Sequence, residues 1–443
     1  MENIVMSNDN TGLTCSGPDD AWPIPRKYAL YTAAIIFLLG MFDLISRQVI
    51  VSLFPHIKEE FALSDKQLGM LVASVNVAIS LLVVPTAYLV DRWSRKKMIF
   101  LMGVVWSLST LLGGFATSFS LLLIARMLCG FGEAGYQPAG QSLLTACFPR
   151  KFRATATAIV TCGMTIGAPI GLVVGAFVAE HWGWRHAFGV VAVPGLLLSF
   201  LALRMHDFRV ADDSGEKAAR REKRKGQFIP AVRNILKTPT IVCVILCAVC
   251  IRLFNSVLMT WLPTYFTRVA EVPMTTASSY ASLIILMSSL AVFYGGPLLD
   301  WLKNRNERLV PVWLTFVMFL SGFLNFTAYT FLRPGSLEQV ALLVISGCFF
   351  GTLLAAGSFL ILDLTSATSR ATAISLMILS QNLLGYGLGP IVTGTLSDMF
   401  SISFAMTVAS TILFVGGAIY AVCIFTYPRD KEKAECVDIT FHA

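Results

Sequence analysis

Long apolar runs dominate this 443-residue chain and follow one another with mostly short polar breaks. A helix that crosses a bilayer needs about 20 mostly apolar residues, and in lipid only helices or closed barrels satisfy their backbone groups. The runs lack the alternation of barrel strands, so the sequence predicts an all-α membrane protein with twelve transmembrane helices. The predicted spans cover residues 28–54, 68–90, 98–117, 121–147, 154–179, 187–203, 240–266, 277–299, 309–331, 339–362, 371–396 and 402–427.

The composition argues against a soluble fold with a polar surface. Hydrophobic residues make up 56% of the chain and charged residues 14%, whereas soluble domains are roughly half apolar and about a quarter charged. The histidines are scattered and most cysteines lie inside apolar runs, so no metal, cofactor or disulfide framework is expected. The net charge of +8 does not indicate nucleic-acid binding, because the basic residues fall between apolar runs.

The distribution of basic residues predicts how the spans are oriented. With the N-terminus placed inside, 26 of the 34 Lys and Arg residues fall in cytoplasmic segments and three fall within spans. The outer loops hold Lys58, Lys66, Arg185, Arg268 and Arg333. This is the bias of the positive-inside rule. It predicts a multi-pass protein of the cell (plasma or inner) membrane with both termini cytoplasmic.

One long hydrophilic break divides the spans into two groups of six. The expected parts are a cytoplasmic N-terminal tail (1–27), an N-terminal six-helix bundle (28–203), a basic cytoplasmic linker (204–239), a C-terminal six-helix bundle (240–427) and a cytoplasmic C-terminal tail (428–443). The halves also repeat, since Arg-Ala-Thr-Ala opens the fifth span at Arg153 and the eleventh at Arg370. Such repeats predict two pseudo-symmetric bundles.

Several motifs make the sequence similar to transporters of the major facilitator superfamily, and more narrowly to spinster-like members. They are Asp91-Arg92 with Arg95 after the second span, Arg126 in the fourth, FALSDKQLGML from Phe61, GFGEAGYQPAGQSLL from Gly130 and NLLGYGLGP from Asn382. Organic anion/proton symporters share some of these motifs and are the next nearest family. The resemblance implies the major facilitator fold, in which spans 1, 4, 7 and 10 line a central cavity.

Four ionisable residues lie inside predicted spans 1 and 4, where a charge costs roughly 3 kcal/mol or more. Asp43 and Arg47 are four residues apart, and Arg126 and Glu133 are seven apart, so each pair shares a helix face. Counting from the outer helix ends places Arg47 level with Arg126, and Asp43 roughly level with Glu133. We therefore expect a cluster paired as Asp43–Arg126 and Arg47–Glu133. It could be a permanent ion network that fixes helix packing, or a proton-sensitive cluster that couples proton movement to rocking of the halves.

The first span departs from the family pattern. Such families usually carry Asn-Tyr-x-Asp-Arg there, whereas this chain has Asp43-Leu-Ile-Ser46-Arg47. If the usual acid carries the proton, its role here is either displaced to Asp43 or lost. The resemblance favours Glu133 as the proton carrier, with Arg47 and Arg126 as its charged neighbours.

Arg252 lies near the middle of the seventh predicted span with no acid within four residues, and Asn255 shares its helix face. An arginine that faces a cavity without an acid indicates an anionic group in the substrate, which it can bind through two hydrogen bonds. Alternatively, Arg252 pairs with an acid elsewhere or extends to the membrane surface. Further candidate contacts, each of which alone is more often an interhelical hydrogen bond, are Tyr136, Gln137, Gln141, Gln381 and Asn382.

The loops after the second and eighth spans predict a gating latch. Asp91, Arg92 and Arg95 follow the second span, and Asp300 has the matching position after the eighth. An aspartate at a helix end, near basic residues and the N-terminus of a partner helix, can hold the halves together on the cytoplasmic side. The resemblance implies a latch of the same kind.

These observations favour a secondary active transporter that moves a small organic anion or amphiphilic solute by alternating access, with proton coupling through Glu133 and Asp43. The alternative, implied by the spinster-like motifs, is a lysophospholipid or sphingolipid-type exporter or facilitator without obligatory proton coupling. An enzyme is not expected, because the chain has no HExxH or GxSxG motif, and the lack of GxxxxGK[ST] argues against ATP-driven transport. The expected partners are an anionic or lipid-like substrate, protons and the lipid bilayer, and the expected state is a monomer.

Overall fold

Local capping signals in the sequence set where many of the helices begin and end. The computed structural model describes residues 22–207, 232–233, 235–365 and 370–440. Ser64 accepts a hydrogen bond from the backbone of Gln67, whose side chain binds back in a capping box that starts one long helix. Gly183, with a φ of 88°, separates two consecutive helices.

The helices follow one another closely in the described part of the chain. In order they are α1 (Arg26–Ser52), α2 (Phe54–Phe61), α3 (Asp65–Arg92), α4 (Arg95–Gly114), α5 (Phe119–Cys147), α6 (Arg150–Trp182), α7 (Trp184–Ala202), α8 (Pro239–Val269), α9 (Met274–Arg305), α10 (Leu309–Thr330), α11 (Leu337–Leu364), α12 (Arg370–Ser380), a π-helical segment (Gln381–Gly387), α13 (Leu388–Met399) and α14 (Ile402–Thr440).

The membrane crossings match the prediction in number. Among the described residues, eleven helical stretches are long and apolar enough to cross a membrane. The helix α3 is not one of these eleven, but it is 28 residues long, packs along α5 and covers the second predicted crossing. The helices α12 and α13 form one crossing with the π-helical segment between them. The prediction of an all-α membrane protein with twelve crossings is therefore confirmed.

Several helix ends differ from the predicted boundaries, and two of these differences change the predicted layout. The first predicted span runs to residue 54, but α1 ends at Ser52 and the chain continues as the short helix α2. The last helix does not stop at residue 427 but continues to Thr440. There, Asp430 accepts hydrogen bonds from the backbone N–H and the hydroxyl of Thr240 at 3.0 and 2.7 Å, which joins α14 to the start of α8. Most of the predicted linker (208–231) lies outside the described residues.

A row of glycines brings α6 very close to α1 within the N-terminal half. Methyl groups added to Gly167 and Gly171 would lie 2.4 Å from the carbonyl oxygen of Met41 and 2.6 Å from that of Ile45. Small residues at four-residue spacing let the backbones of membrane helices approach each other. The row therefore fixes how α1 presents its polar face to the rest of the half.

The two halves, α1–α7 and α8–α14, contact each other mainly through α6 with α9 and α3 with α13. We call the end where α1 begins, α7 ends and α8 begins the linker end, and the opposite end the distal end. Within the described residues, the hydrogen bonds between the halves lie in the distal parts of the helices; one example is Ser282, whose hydroxyl donates to the carbonyl oxygen of Pro169 at 2.9 Å. The structure is therefore closed at its distal end.

Candidate functional site

A charged cluster joins α1 and α5 inside the N-terminal half. Arg47 Nη2 lies 2.6 Å from Glu133 Oε2, and Arg47 Nε donates a hydrogen bond to Asp43 Oδ1 at 3.3 Å. The Asp43 and Glu133 side chains are 0% and 1% exposed, whereas the Arg47 side chain is 23% exposed. One partly exposed arginine therefore pairs with two buried carboxylates.

Polar neighbours complete the surroundings of this cluster. The hydroxyl of Tyr136 donates to Asp43 Oδ2 at 3.1 Å, and Arg47 Nη1 donates to Asn76 Oδ1 at 3.4 Å. Ser46, which has the position of the usual family acid, is buried and shares a hydrogen bond of 3.2 Å with Thr110. Tyr136 therefore belongs to the charged cluster, and Asn76 on α3 is a member that the sequence analysis missed.

One of the two expected ion pairs forms and the other does not. Arg47 pairs with Glu133 as predicted, but Asp43 pairs with Arg47 and Tyr136 instead of Arg126. Counting from the helix ends assumes that α1 and α5 end at the same height. In the structure, Asp43 instead contacts Tyr136, which lies three residues after Glu133 on α5.

Arg126 is buried on α5 and lacks the partner predicted for it. It is 2% exposed, and its Nε and Nη1 atoms have no hydrogen-bond partner among the described residues. It lies two turns from Glu133 on the same helix face. A buried guanidinium with unsatisfied donors is costly, so Arg126 is available as a partner for a carboxylate in a different arrangement of the cluster.

A second polar group surrounds Arg252 in the C-terminal half. Arg252 Nε donates to Gln381 Oε1 at 3.3 Å, and its Nη1 donates to the hydroxyl of Tyr386 at 3.2 Å. The same hydroxyl donates to Asn255 Oδ1 at 3.0 Å. No carboxylate pairs with Arg252 in the described part of the chain, and its hydrogen-bond partners there are neutral. The structure thus brings Arg252 together with Asn255 as predicted and adds Tyr386.

The π-helical segment Gln381–Gly387 places two of these partners. A methyl group on Gly385 would lie 2.7 Å from Arg252 Cβ, and one on Gly389 would lie 3.0 Å from the carbonyl oxygen of Leu253. The segment therefore packs directly against α8. π-Helical turns within α-helices occur frequently at functional sites, and this one turns Gln381 and Tyr386 toward Arg252.

The other predicted substrate contacts are spread over the bundle. Gln141 donates to the hydroxyl of Thr157 on α6 at 2.9 Å, so its amide joins two helices within one half. Gln137 is exposed and Asn382 is half-buried. These residues stay predictions as substrate contacts.

The described residues include only part of the predicted latch at the linker end. The side chains of Asp91 and Arg92 lie outside the described residues, and Arg95 is the half-buried first residue of α4. Asp300 is exposed and lies five residues before the end of α9, not at a helix end. An unpredicted pair nearby joins α9 to α11, because Lys303 Nζ lies 2.7 Å from Asp363 Oδ1.

A polar cluster at the distal end connects the two halves and was not predicted. Arg268 Nη1 donates to both carboxylate oxygens of Asp65 at 2.9 and 2.7 Å, and Ser397 donates to the same carboxylate at 2.5 Å. Lys58 lies 2.6 Å from it. We call Lys58, Asp65, Arg268, Ser397 and Asp398 the distal clamp.

The clamp also uses the start of α3. Asp398 accepts hydrogen bonds from the backbone N–H groups of Asp65 and Lys66 at 2.7 and 2.9 Å, where a helix N-terminus favours negative charge. Burial alone would raise the pKa of the Asp65 carboxyl, but the hydrogen bonds from Arg268, Lys58 and Ser397 hold this pKa below its ordinary value of 3.8. The sequence signal for this contact is the FALSDK stretch, whose acid was not predicted to join the halves.

Comparisons with known proteins show which family and which relatives this chain resembles. Residues 36–331 match the sequence model of the Major Facilitator Superfamily. The sphingosine-1-phosphate transporter SPNS2 of Xenopus tropicalis is 23% identical over 95% of this chain and 86% of its own length. A hexuronate transporter of Bacillus subtilis (strain 168) is 23% identical over 89% of this chain and 93% of its own length.

A solved structure shares the fold. It is the crystal structure of a bacterial homolog to the human lysosomal transporter Spinster, in an inward-facing and unoccupied conformation. The TM-score is 0.80 at 23% identity, and the likeness covers 92% of this chain and 99% of that chain.

Proposed function

This chain belongs to the major facilitator superfamily, and from that premise we propose that it is a proton-coupled secondary transporter of a small organic anion or anionic amphiphile. The observation that carries the proposal is the sharing of Arg47 by the two buried carboxylates Asp43 and Glu133. Charged groups inside membrane helices are expensive and commonly mark ion or proton pathways.

The proposal of proton coupling rests on the two carboxylates, Asp43 and Glu133, sharing the single arginine Arg47. When Glu133 takes up a proton, it loses its charge and releases Arg47, which keeps its bond to Asp43. When Glu133 is ionised, it needs a cation, and Arg126 with its unsatisfied donors is the second one available on its helix face. The cluster therefore has two arrangements that differ by one proton, which is the kind of two-state element that alternating access requires.

The proposed orientation places the linker end in the cytoplasm. The excess of Lys and Arg in the segments at this end supports it. With the distal clamp closed, the structure then corresponds to an inward-facing state, which agrees with its likeness to an inward-facing structure. The loops of Asp91, Arg92, Arg95 and Asp300 form the opposing gate in this proposal, and they engage when the distal clamp opens.

The substrate class follows from Arg252. Its hydrogen-bond partners are Gln381 and Tyr386, both neutral. A bound carboxylate or phosphate would therefore supply the negative charge that balances the Arg252 guanidinium. Sphingosine-1-phosphate and hexuronates, named for two relatives, both carry an anionic group, a phosphate and a carboxylate respectively. Tyr386 and Asn255 add hydrogen-bonding groups beside the guanidinium. We assign substrate contacts to Arg252, Asn255 and Tyr386.

A second candidate function is a lysophospholipid or sphingolipid-type exporter or facilitator without obligatory proton coupling, which the similarity to a sphingosine-1-phosphate transporter favours. Both candidates use Arg252, and they differ in what drives transport. The test is uptake into proteoliposomes with and without a pH gradient, across a panel of sugar carboxylates and phosphate-bearing lysolipids. Accumulation of a sugar carboxylate driven by the gradient supports the first function; lysolipid movement that ignores the gradient supports the second.

A further inference from the structure

A crevice with apolar walls lies between α1 and α6 at the linker end, away from the charged cluster. Its volume is about 470 Å³, within the range of roughly 300–1,000 Å³ that small-molecule sites occupy. One wall is formed by residues four and seven apart on α1, Leu30, Ala34 and Phe37, and the other by Phe152 and Ile159 on α6. The two stripes run side by side along the helices, so the crevice is elongated.

Aromatic rings close one side of the crevice. The ring of Trp22 lies 5.5 Å from that of Phe148 and stacks on Phe152 at 5.9 Å between centroids. Arg153 Nε donates to the carbonyl oxygen of Phe148 at 3.1 Å, which fixes the chain before α6. Water in an elongated space with these apolar walls would gain few hydrogen bonds, so an apolar chain is the better occupant.

The mouth of the crevice is basic. The guanidinium of Arg26 lies 5.3 Å from the centre of the Trp22 ring, and Lys151 Nζ lies 5.9 Å from that of Phe152. Lys27, the next residue in the chain, is also exposed. Neither residues 22–42 nor residues 134–179 include an acidic residue, so the chain segments that form the crevice supply no acidic side chain to neutralise this charge.

We propose that this crevice binds one anionic phospholipid of the bilayer, with an acyl chain between α1 and α6 and the phosphate at Arg26, Lys27 and Lys151. The apolar walls match the chain and the basic mouth matches the headgroup. Basic residues at a membrane surface strengthen binding of anionic lipids by about fivefold each. The site is separate from the substrate contacts at Arg252 and does not depend on the proposed transport function.

Lipid retention by the purified full chain tests the proposal. The chain in detergent is given dioleoyl phosphatidylglycerol or dioleoyl phosphatidylcholine, and bound lipid is measured by native mass spectrometry. We expect one phosphatidylglycerol to remain bound, at least about tenfold more readily than phosphatidylcholine. Ala34→Trp, which fills the crevice, should remove both lipids. If no lipid is retained, or if phosphatidylcholine is held equally well, the proposal is wrong.

A matched pair of arginines separates the crevice from general surface charge. Arg305 lies at the linker end of α9 and stacks on Trp301 at 5.2 Å, much as Arg26 stacks on Trp22. Arg26→Gln should lower phosphatidylglycerol retention by about fivefold, while Arg305→Gln should leave it unchanged. Equal loss in both variants overturns the proposal. So does lipid binding that appears only after removal of residues 1–20, because the N-terminal tail would then be the occupant.

Discussion

Arg268 on α8 binds both carboxylate oxygens of Asp65 on α3, at 2.9 and 2.7 Å, and so ties the two halves together at the distal end. The two residues are 203 positions apart in the chain. The Asp65 side chain is only 3% exposed. Removing its charge would leave Arg268 without the carboxylate that it binds. The pair therefore helps to hold the distal end closed in this structure.

Asp65→Asn should shift the protein toward a state that is open at the distal end. Gln48 on α1 is 6% exposed and contacts Met259 of the other half at 3.1 Å, so a cysteine at position 48 reports distal opening. We expect Asp65→Asn to speed its modification by a membrane-impermeant thiol reagent by about tenfold. The measurement is made in a background without the native cysteines.

Glu60→Gln is the matched control for the distal clamp. Glu60 pairs with Arg185 at 2.5 Å at the same end, but both residues belong to the N-terminal half. This variant should leave the modification rate at position 48 unchanged. Equal acceleration in both variants would show that any lost charge loosens this end, and would contradict a specific role of Asp65.

The distal clamp should be insensitive to pH across the physiological range. The pKa of the Asp65 carboxyl is held below 3.8 in the closed structure. Its stabilising effect is therefore fully present above that ordinary value and is lost only as the pH falls through the lowered pKa. The rate of modification at position 48 is divided by the rate at an exposed reference cysteine, so that the pH dependence of the thiolate cancels. This ratio should stay constant from roughly pH 5 to pH 8 in the Glu133→Gln background, where Glu133 cannot titrate. A marked change within that window would mean that Asp65 titrates there.

Replacing Arg252 should weaken substrate binding. Arg252→Gln should raise KM for an anionic substrate at least about tenfold, because the main positive charge at that site is lost. Arg252→Lys should recover only part of the affinity, since an ammonium group lacks the planar fork of a guanidinium. Concentration-dependent uptake in proteoliposomes measures both. An unchanged KM in Arg252→Gln would remove Arg252 from the substrate site.

Tyr386→Phe tests the residue that the structure adds to this site. It removes the hydroxyl that links Arg252 to Asn255, and we expect KM to rise about threefold to tenfold. Tyr31→Phe is the control, because the Tyr31 hydroxyl donates to a backbone carbonyl within the N-terminal half, that of Leu201, at 2.8 Å. That variant should transport normally.

Gly167→Ala should destabilise the N-terminal half. The added methyl group would lie 2.4 Å from the carbonyl oxygen of Met41, so α1 and α6 must separate. We expect a loss of about 1–3 kcal/mol and a lower melting temperature in detergent. Gly189→Ala on α7 is the control, because no atom lies within 4 Å of its added methyl group. A melting temperature equal to that of the unmodified protein in Gly167→Ala would contradict close packing there.

Sequence patterns predicted features that depend on a single helix or on repeated motifs. The apolar runs gave the crossings, and the spacing of Asp43 with Arg47 and of Arg126 with Glu133 placed each pair on one face. The pairing between helices was harder. Arg47–Glu133 was right, but Asp43–Arg126 was wrong, because relative helix height is set by tertiary packing and not by residue count.

Contacts between distant segments could not be predicted from sequence. Nothing in the local sequence of Asp65 indicates Arg268, since the contact exists only once the two halves close on each other. Tyr386 was missed for a related reason. A regular helix through residues 381–387 would change which side chains face Arg252, and the π-helical turn depends on close packing of Gly385 against α8.

The most direct test of proton coupling is uptake by Glu133→Gln in proteoliposomes with an imposed pH gradient. Glutamine keeps the size of the side chain but cannot release a proton. We predict that gradient-driven accumulation falls at least about tenfold, while exchange of substrate across the membrane without a gradient is partly retained. Glu338→Gln, at the distal start of α11, should behave like the unmodified protein. Gradient-driven uptake in Glu133→Gln equal to that of the unmodified protein would contradict proton coupling through Glu133.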